Sequence, residues 1–280
     1  MQTLEAKMMQ KIMDIGRQAA RAAGAVMRQN YLQPHRITLK GVIDPVTETD
    51  LQAQEIIMAI IRQAFPEHGF LAEERVGEGG GGEIAGAAGL PWEPDPPAHR
   101  WIIDPLDGTV NFAHGFPMFC VSIAFEAEAR LEYGVIYDPL RDELFEAQKG
   151  KGARLNGQPL RVSGTHRLDR ALIATGFPYD IRERVAPTLA RLGRVLARAQ
   201  GLRRAGSAAL DLGYLACGRF DGFYEEHLKP WDTAAGWLLV TEAGGRLTTF
   251  EGGPYDLLAP NLVASNGILH EELLRIVQLK

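Results

Sequence analysis

Cysteine is scarce in this chain. Only Cys120 and Cys217 occur among the 280 residues, both inside apolar runs. Two such thiols make neither a disulfide framework nor a metal-binding knuckle, and they fit a reduced, cytoplasmic protein. Long apolar runs are lacking as well. No stretch of about 18 uncharged apolar residues is present, so no membrane-spanning helix is expected. There is no surplus of basic charge either. A formal net charge of −5 offers little to a phosphate backbone, and direct nucleic-acid binding is not expected. Internal repeats are absent too, which excludes an array or solenoid.

What remains has globular proportions, 46% hydrophobic and 23% charged, over a length that suits one large domain or two lobes sharing a core. Leu4, Met8, Ile12, Ile15, Ala19, Ala22 and Val26 recur at three- and four-residue spacings with charges between them. That pattern predicts an amphipathic first helix, too charged for a signal peptide. A second helix begins near "TETDLQAQEIIMAIIRQAF", where Thr49 and Gln52 have capping-box spacing. Between the two helices, residues 36–46 read as a short extended segment, and "GFLAEE" (69–74) reads as a strand with acids at its exit. Residues 77–98, rich in Gly and Pro, are expected to form a mobile surface loop. Strand patterns fill 100–150, and strands alternate with helices beyond about 165. The expectation is a layered α/β or α+β protein with a lobe over 1–155 and a second over 156–280.

Gly77, Gly79 and Gly82 match a dinucleotide fingerprint in spacing. The segment after them is a poor helix, so the phosphate-binding helix N-terminus is missing and the match is rejected. "WIIDPLDGTVN" (101–111) is more informative. Asp104 ends a buried-type strand, Pro105 interrupts ladder pairing, and Asp107 follows one short turn later. Gly108 allows close approach of a ligand, and Thr109 opens a helical turn whose amides face an anion. Taken alone, Asp104 and Asp107 could equally be a turn former and a helix cap. Glu73, Glu74, Asp50 and Asp232 add further acids at strand ends and helix starts, with no matching arginines beside them. Carboxylates in that number cannot share a site unneutralised. Oxygen donors with few His or Cys nearby point to Mg²⁺ rather than Zn²⁺.

"DPVTETD" (44–50), "GFLAEE" (69–74), "WIIDPLDGTVNFAHGFP" (101–117) and "WDTAAGWLLVTEAGG" (231–245) resemble the successive signature segments of the inositol monophosphatases. These belong to the lithium-sensitive, Mg²⁺-dependent sugar phosphatases. The resemblance covers nearly the whole chain and implies the αβαβα sandwich of the inositol monophosphatase/fructose-1,6-bisphosphatase type, usually dimeric. It implies that Glu73, Asp104 and the Leu106 carbonyl hold one Mg²⁺, that Asp104, Asp107 and Asp232 hold a second, and that Glu73 assists a weaker third. It further implies that the Gly108 and Thr109 amides receive the phosphate and that Asp50 and Thr109 orient the attacking water. Glu225 would bind ring hydroxyls, Ala208 would pack against the ring, and Lys40 would lie near the site.

The implied reaction is hydrolysis of myo-inositol 1-phosphate or a close polyol phosphate. Its barrier must fall by about 20 kcal/mol or more. Two cations, one activating water and one neutralising the leaving oxygen, do this without a covalent intermediate. Histidinol phosphate, NADP and fructose 1,6-bisphosphate are alternative substrates within the superfamily. Some bacterial members act in transcription complexes, so a binding role is the alternative of another class. "PLDGTV" also resembles the haloacid-dehalogenase loop, but Pro105 stands where its nucleophilic aspartate belongs. His68, His114 and His227 are expected to be surface or core residues, and Trp101, Trp231 and Trp237 core. The stretch 182–204 carries seven arginines against one glutamate. Val185, Leu189, Leu192 and Leu196 are expected to form its inner face, with the basic face solvated.

Overall fold

A computed structural model describes residues 2–34, 37–39, 45–74, 97–178 and 180–279. Lys40, Asp44 and nearly all of the Gly/Pro-rich 77–98 segment, expected to be mobile, lie outside the described residues. The chain opens with helix α1 (Gln2–Asn30), a two-stranded ribbon of β1 (Ile37–Leu39) and β2 (Pro45–Thr47), and helix α2 (Glu48–Ala64). Then come β3 (Gly69–Ala72), β4 (His99–Asp107), the short helix α3 (Thr109–Ala113), β5 (Cys120–Ala127), β6 (Arg130–Asp138), β7 (Glu143–Gln148), β8 (Gly152–Leu155) and β9 (Gln158–Pro159). Strands β3 to β9 form a seven-stranded sheet in chain order. The β3–β4 pair is parallel and the other neighbours are antiparallel.

The rest of the chain supplies β10 (Leu172–Thr175), α4 (Val185–Leu196), β11 (Gly201–Arg203), α5 (Ala208–Ala216), β12 (Gly222–Glu226), α6 (Pro230–Glu242), β13 (Arg246–Thr248), β14 (Asn261–Ser265) and α7 (His270–Val277). Its five strands order as β11-β10-β12-β14-β13.

Alternation along the strands sorts the side chains into layers. Trp101 and Ile103 of β4 pack with Ile12, Ala19, Ala23, Ile57 and Ile61 of α1 and α2. Ile102, between them, joins Leu212 and Leu215 of α5 and Leu238 and Leu239 of α6. Phe223, Leu262 and Ala264 of the second sheet enter that same cluster, so α5 and α6 are sandwiched between the sheets. Ile173, Tyr224 and Val263 point the other way, onto Val195 of α4 and Leu273, Ile276 and Val277 of α7. The result is the expected αβαβα layering. Trp101 is fully buried, whereas Trp231 and Trp237 are only partly so. Cys120 and Cys217 are both free thiols. Among the described residues no helix is long and apolar enough to cross a membrane.

Two local expectations need correction. The cap of α2 is Thr47, not Thr49: the Thr47 hydroxyl accepts from the Thr49 amide, and Asp50, not Gln52, closes the capping box. The expected orientation of α4 is also reversed in part, with only Leu192 of its expected inner residues half-buried. Val185, Leu189 and Leu196 are exposed, while Arg191 turns inward to Glu226 (2.6 Å) and the Val277 carbonyl (3.0 Å). Arg194 likewise donates to the Gln278 carbonyl. Long arginine stems can lie over apolar surface, as Arg191 does over Phe250 at 4.7 Å. Carbonyls and a carboxylate at the edge of the layer thus decide which face of the helix turns inward.

Helix α6 seats directly on β6. A Cβ at Gly134 would stand 2.9 Å from the Ala235 Cα and 3.1 Å from its carbonyl oxygen. Gly134→Val is therefore expected to lower stability by about 1–3 kcal/mol or more, read as a lower urea midpoint.

Candidate active site

The acids sit where elements of both sheets end. Asp104 faces Ser122 and Asp107 faces Cys120, so three steps along β4 match two along β5. This is a bulge at Pro105. In a regular strand, residues three apart point to opposite faces; the extra residue brings both carboxyl groups to one side. Gly108 follows at φ 99, a left-handed conformation that favours glycine. A Cβ there would also meet the Met118 carbonyl at 2.8 Å. The turn delivers Thr109, whose hydroxyl lies 3.0 Å from both Asp50 Oδ1 and the Leu106 carbonyl.

Asp50 is fully buried at the start of α2. Its Oδ2 accepts from the Thr47 amide (2.8 Å) and hydroxyl (2.5 Å). Glu73 stands at the exit of β3, which is pinned on both sides. Its own amide donates to the Ile103 carbonyl at 3.1 Å. The Gln54 side chain grips the Glu74 backbone through bonds of 2.6 and 3.0 Å. Asp232, in the first turn of α6, accepts from the Lys229 amide at 2.6 Å. Ala208 opens α5, and Glu225 lies near the end of β12.

These groups share one electrostatic field. Burial first, then the charges of Glu73, Asp107 and Asp232, hold Asp104 well above the ordinary carboxylate range. Burial, with Asp107, Glu73 and Glu225 adding to it, does the same to Asp232. Burial pushes Asp107 up to about 6, against hydrogen bonds from Ser207 Oγ (2.6 Å) and the Ala209 amide (2.7 Å). Asp50 rises to about 6 through burial, aided by Glu73. Burial carries Glu225 to about 8, although Arg204 draws it down. Cys120 Sγ lies 3.8 Å from Asp107 Oδ2, and burial keeps it a thiol rather than a thiolate ligand.

Among the described residues no basic side chain forms an ion pair with Asp104, Asp107 or Asp232. Nor do three acidic, imidazole or thiol side chains there already stand as a closed coordination cage. Hydrogen bonds already engage one oxygen of each aspartate. Asp107 Oδ2 is turned to Ser207 and Ala209, Asp232 Oδ2 to Lys229, and Asp104 Oδ1 to the Leu106 amide (3.1 Å). Mutually repelling, largely desolvated carboxylates with no cationic partner among the described residues suit a hard divalent ion, and the donor set fits Mg²⁺.

Several residues that shape the site escaped the sequence reading. Thr47 fixes Asp50, Ser207 fixes Asp107, and Asn111 ties α3 to the Met118 and Ala205 carbonyls at 2.7 and 2.8 Å. Ser207 caps the apolar run "AALDLGYLA", a local signal, but nothing local indicates that its hydroxyl reaches Asp107. The three histidines lie away from these acids' hydrogen bonds. His68 stacks on Phe65 at 4.5 Å and accepts from Trp101 Nε1, His227 stands 3.5 Å from Asp180, and His114 is exposed.

Carboxylates thus gather near strand and helix ends of a layered two-sheet fold. The chain belongs to the inositol monophosphatase family, which it matches over residues 8–280. It is 43% identical over 260 residues to Nus factor SuhB of Escherichia coli K12, covering 92% of each chain. It is 42% identical over 263 residues to an inositol-1-monophosphatase of Mesorhizobium japonicum, covering 93% of this chain and 94% of the other. The crystal structure of the extragenic suppressor protein suhB from Bartonella henselae superposes with a TM-score of 0.85 at 42% identity, covering 95% of this chain and 98% of that one. Family membership supports phosphatase chemistry, and the family is generally metal-dependent.

A raised carboxylate pKa means that the folded chain holds protons the unfolded chain has released. The stability held by the neutral forms is complete below about pH 4 and is lost as pH rises through about 6 for Asp50 and Asp107 and about 8 for Glu225. In EDTA, the melting temperature is expected to decline over that window, less steeply in Asp107→Asn than in wild type. Identical slopes would contradict this electrostatic account.

Proposed function

We propose that the chain hydrolyses the phosphate monoester of a polyol, with myo-inositol 1-phosphate as substrate. The observation that carries this reading is the set of Asp104, Asp107 and Asp232, Asp104 buried and the other two half-buried, without basic ion-pair partners among the described residues and joined by Glu73 at the exit of β3. Glu73, Asp104, Asp107, Asp232 and the Leu106 carbonyl would hold two to three Mg²⁺ ions. When bound, these supply Lewis-acid chemistry, neutralising phosphate charge and lowering the pKa of water.

The protein's own groups do the rest. The amides of Gly108 and Thr109, at the opening of α3, receive phosphate oxygens. Thr109 Oγ, anchored on Asp50 Oδ1 and the Leu106 carbonyl, orients the attacking water. Asp50 can take a proton at Oδ1, and a pKa of about 6 suits a base working near neutrality. Glu225 meets the ring hydroxyls and Ala208 its apolar face. No side-chain nucleophile is required, because water attacks phosphorus directly.

The name Nus factor, carried by the E. coli relative, supports a second reading in which the chain also joins a transcription-complex protein. That role would use the outer surface and can coexist with catalysis. The exposed Val185, Leu189 and Leu196 on α4 support a homodimer, with a second copy covering this stripe. Leu189→Asp is expected to shift sedimentation toward the monomer. Two free thiols suit the cytoplasm.

Phosphate release tests the main reading. Wild type with Mg²⁺ is expected to turn over inositol 1-phosphate faster than histidinol phosphate, NADP or fructose 1,6-bisphosphate. EDTA or Asp107→Asn is expected to lower kcat by about a thousandfold or more. Undiminished turnover in the variant would exclude the mechanism.

A further inference from the structure

One buried acid has no part in the reaction described above. Asp211 lies on α5, four residues after the cap Ser207 and three after Ala208. Residues at those spacings share a helix face. Ser207 on that face donates to Asp107, so the face is turned toward the acid cluster. Asp211 is 1% exposed. Its Oδ1 is fully buried and meets no hydrogen-bond partner among the described residues. A buried polar group left unsatisfied is costly, and a satisfying partner is the usual explanation for one that persists.

Three elements bring charge to bear on it. After burial itself, Glu225 from β12 and Asp107 from β4 raise its pKa well above the ordinary range, while Arg204 ahead of α5 opposes them. Arg204 also draws down Glu225. It is exposed, with its guanidinium 5.3 Å from the Phe177 ring centre. Asp211 and Glu225 are therefore two neighbouring carboxyl groups, both held toward their uncharged form. A neutral carboxyl group offers one O–H donor and acceptor oxygens, and an alcohol offers the same combination.

We propose that Asp211 is a specificity-determining residue: its carboxyl group exchanges hydrogen bonds with a hydroxyl of the substrate's polyol, beside Glu225. The proposal deepens the phosphatase reading and rests on it. It also accounts for an unsatisfied oxygen that helix packing leaves unexplained. Because a site with a buried hydrogen-bonding group rejects analogues that leave it unpaired, Asp211 would favour hydroxyl-bearing esters over bare ones.

Wild type, Asp211→Asn and Asp211→Leu are to be compared on inositol 1-phosphate and on phenyl phosphate, which has a ring but no hydroxyl. Asp211→Leu is expected to raise KM for inositol 1-phosphate about tenfold or more while leaving kinetics on phenyl phosphate within about twofold. Asp211→Asn, which keeps a donor and an acceptor in the same shape, is expected to retain the wild-type preference within about threefold. Asp211→Ala supplies the same comparison if the leucine variant does not fold. Equal losses on both esters would assign Asp211 to structure and overturn the proposal, as would an asparagine variant as impaired as the leucine one. Wild type active on phenyl phosphate without preferring inositol 1-phosphate would overturn it while phosphatase chemistry stands. Wild type inactive on both would overturn the phosphatase reading and this proposal together.

Discussion

Mutual repulsion among buried carboxyl groups is the constraint around which this molecule is organised. Glu73, Asp104, Asp107 and Asp232 come from separate parts of the chain, yet burial and the charges of the others hold Asp104 and Asp232 above the ordinary carboxylate range. Among the described residues, no lysine or arginine forms an ion pair with Asp104, Asp107 or Asp232. The fold answers with neutral dipoles: the Ser207 hydroxyl, the amides of Leu106, Ala209 and Lys229, and the Thr47 cap on Asp50. Such dipoles hold an acid in place without cancelling its charge. On the proposed reading, that leaves the site to accept positive charge from outside the polypeptide.

The sandwich makes that arrangement rigid. Glu73 and Asp104 leave adjacent parallel strands of the larger sheet, while Asp107 belongs to the bulge that continues the second of them. Asp232 belongs to the middle helical layer, and Glu225 to the smaller sheet. Close packing of α5 and α6 against both sheets fixes the spacing between these contributors. A shift of the middle layer would move Asp232 and the Ser207–Asp107 contact together. Stability of the core and geometry of the site are consequently the same problem.

Much of this was legible before any coordinates. Periodicity located α1 and α2, and strand patterns located the region of β4 to β7; Asp104 is expected to end its strand in a turn at Pro105, whereas β4 continues through a bulge to Asp107. The failures are instructive because they are local in appearance and tertiary in cause. "VTETD" contains two overlapping capping registers, and the one that wins places Asp50 where Thr109 can bind it. On α4 the spacing established two faces correctly, but acceptors at Glu226, Val277 and Gln278 drew the arginines inward. Amphipathicity states that a helix has two sides; only the neighbours decide which is inside.

The sequence by itself determined the elements, their layered class and the identity of the acids, because those follow from periodicity, turn chemistry and the order of acid-bearing segments. Tertiary structure alone decided which oxygens are held by which donors, and that Asp211 is left with an oxygen no donor among the described residues meets. The reason is range. Helix caps and strand alternation are settled within a few residues, whereas the field at Asp104 sums charges brought together from positions 73 to 232.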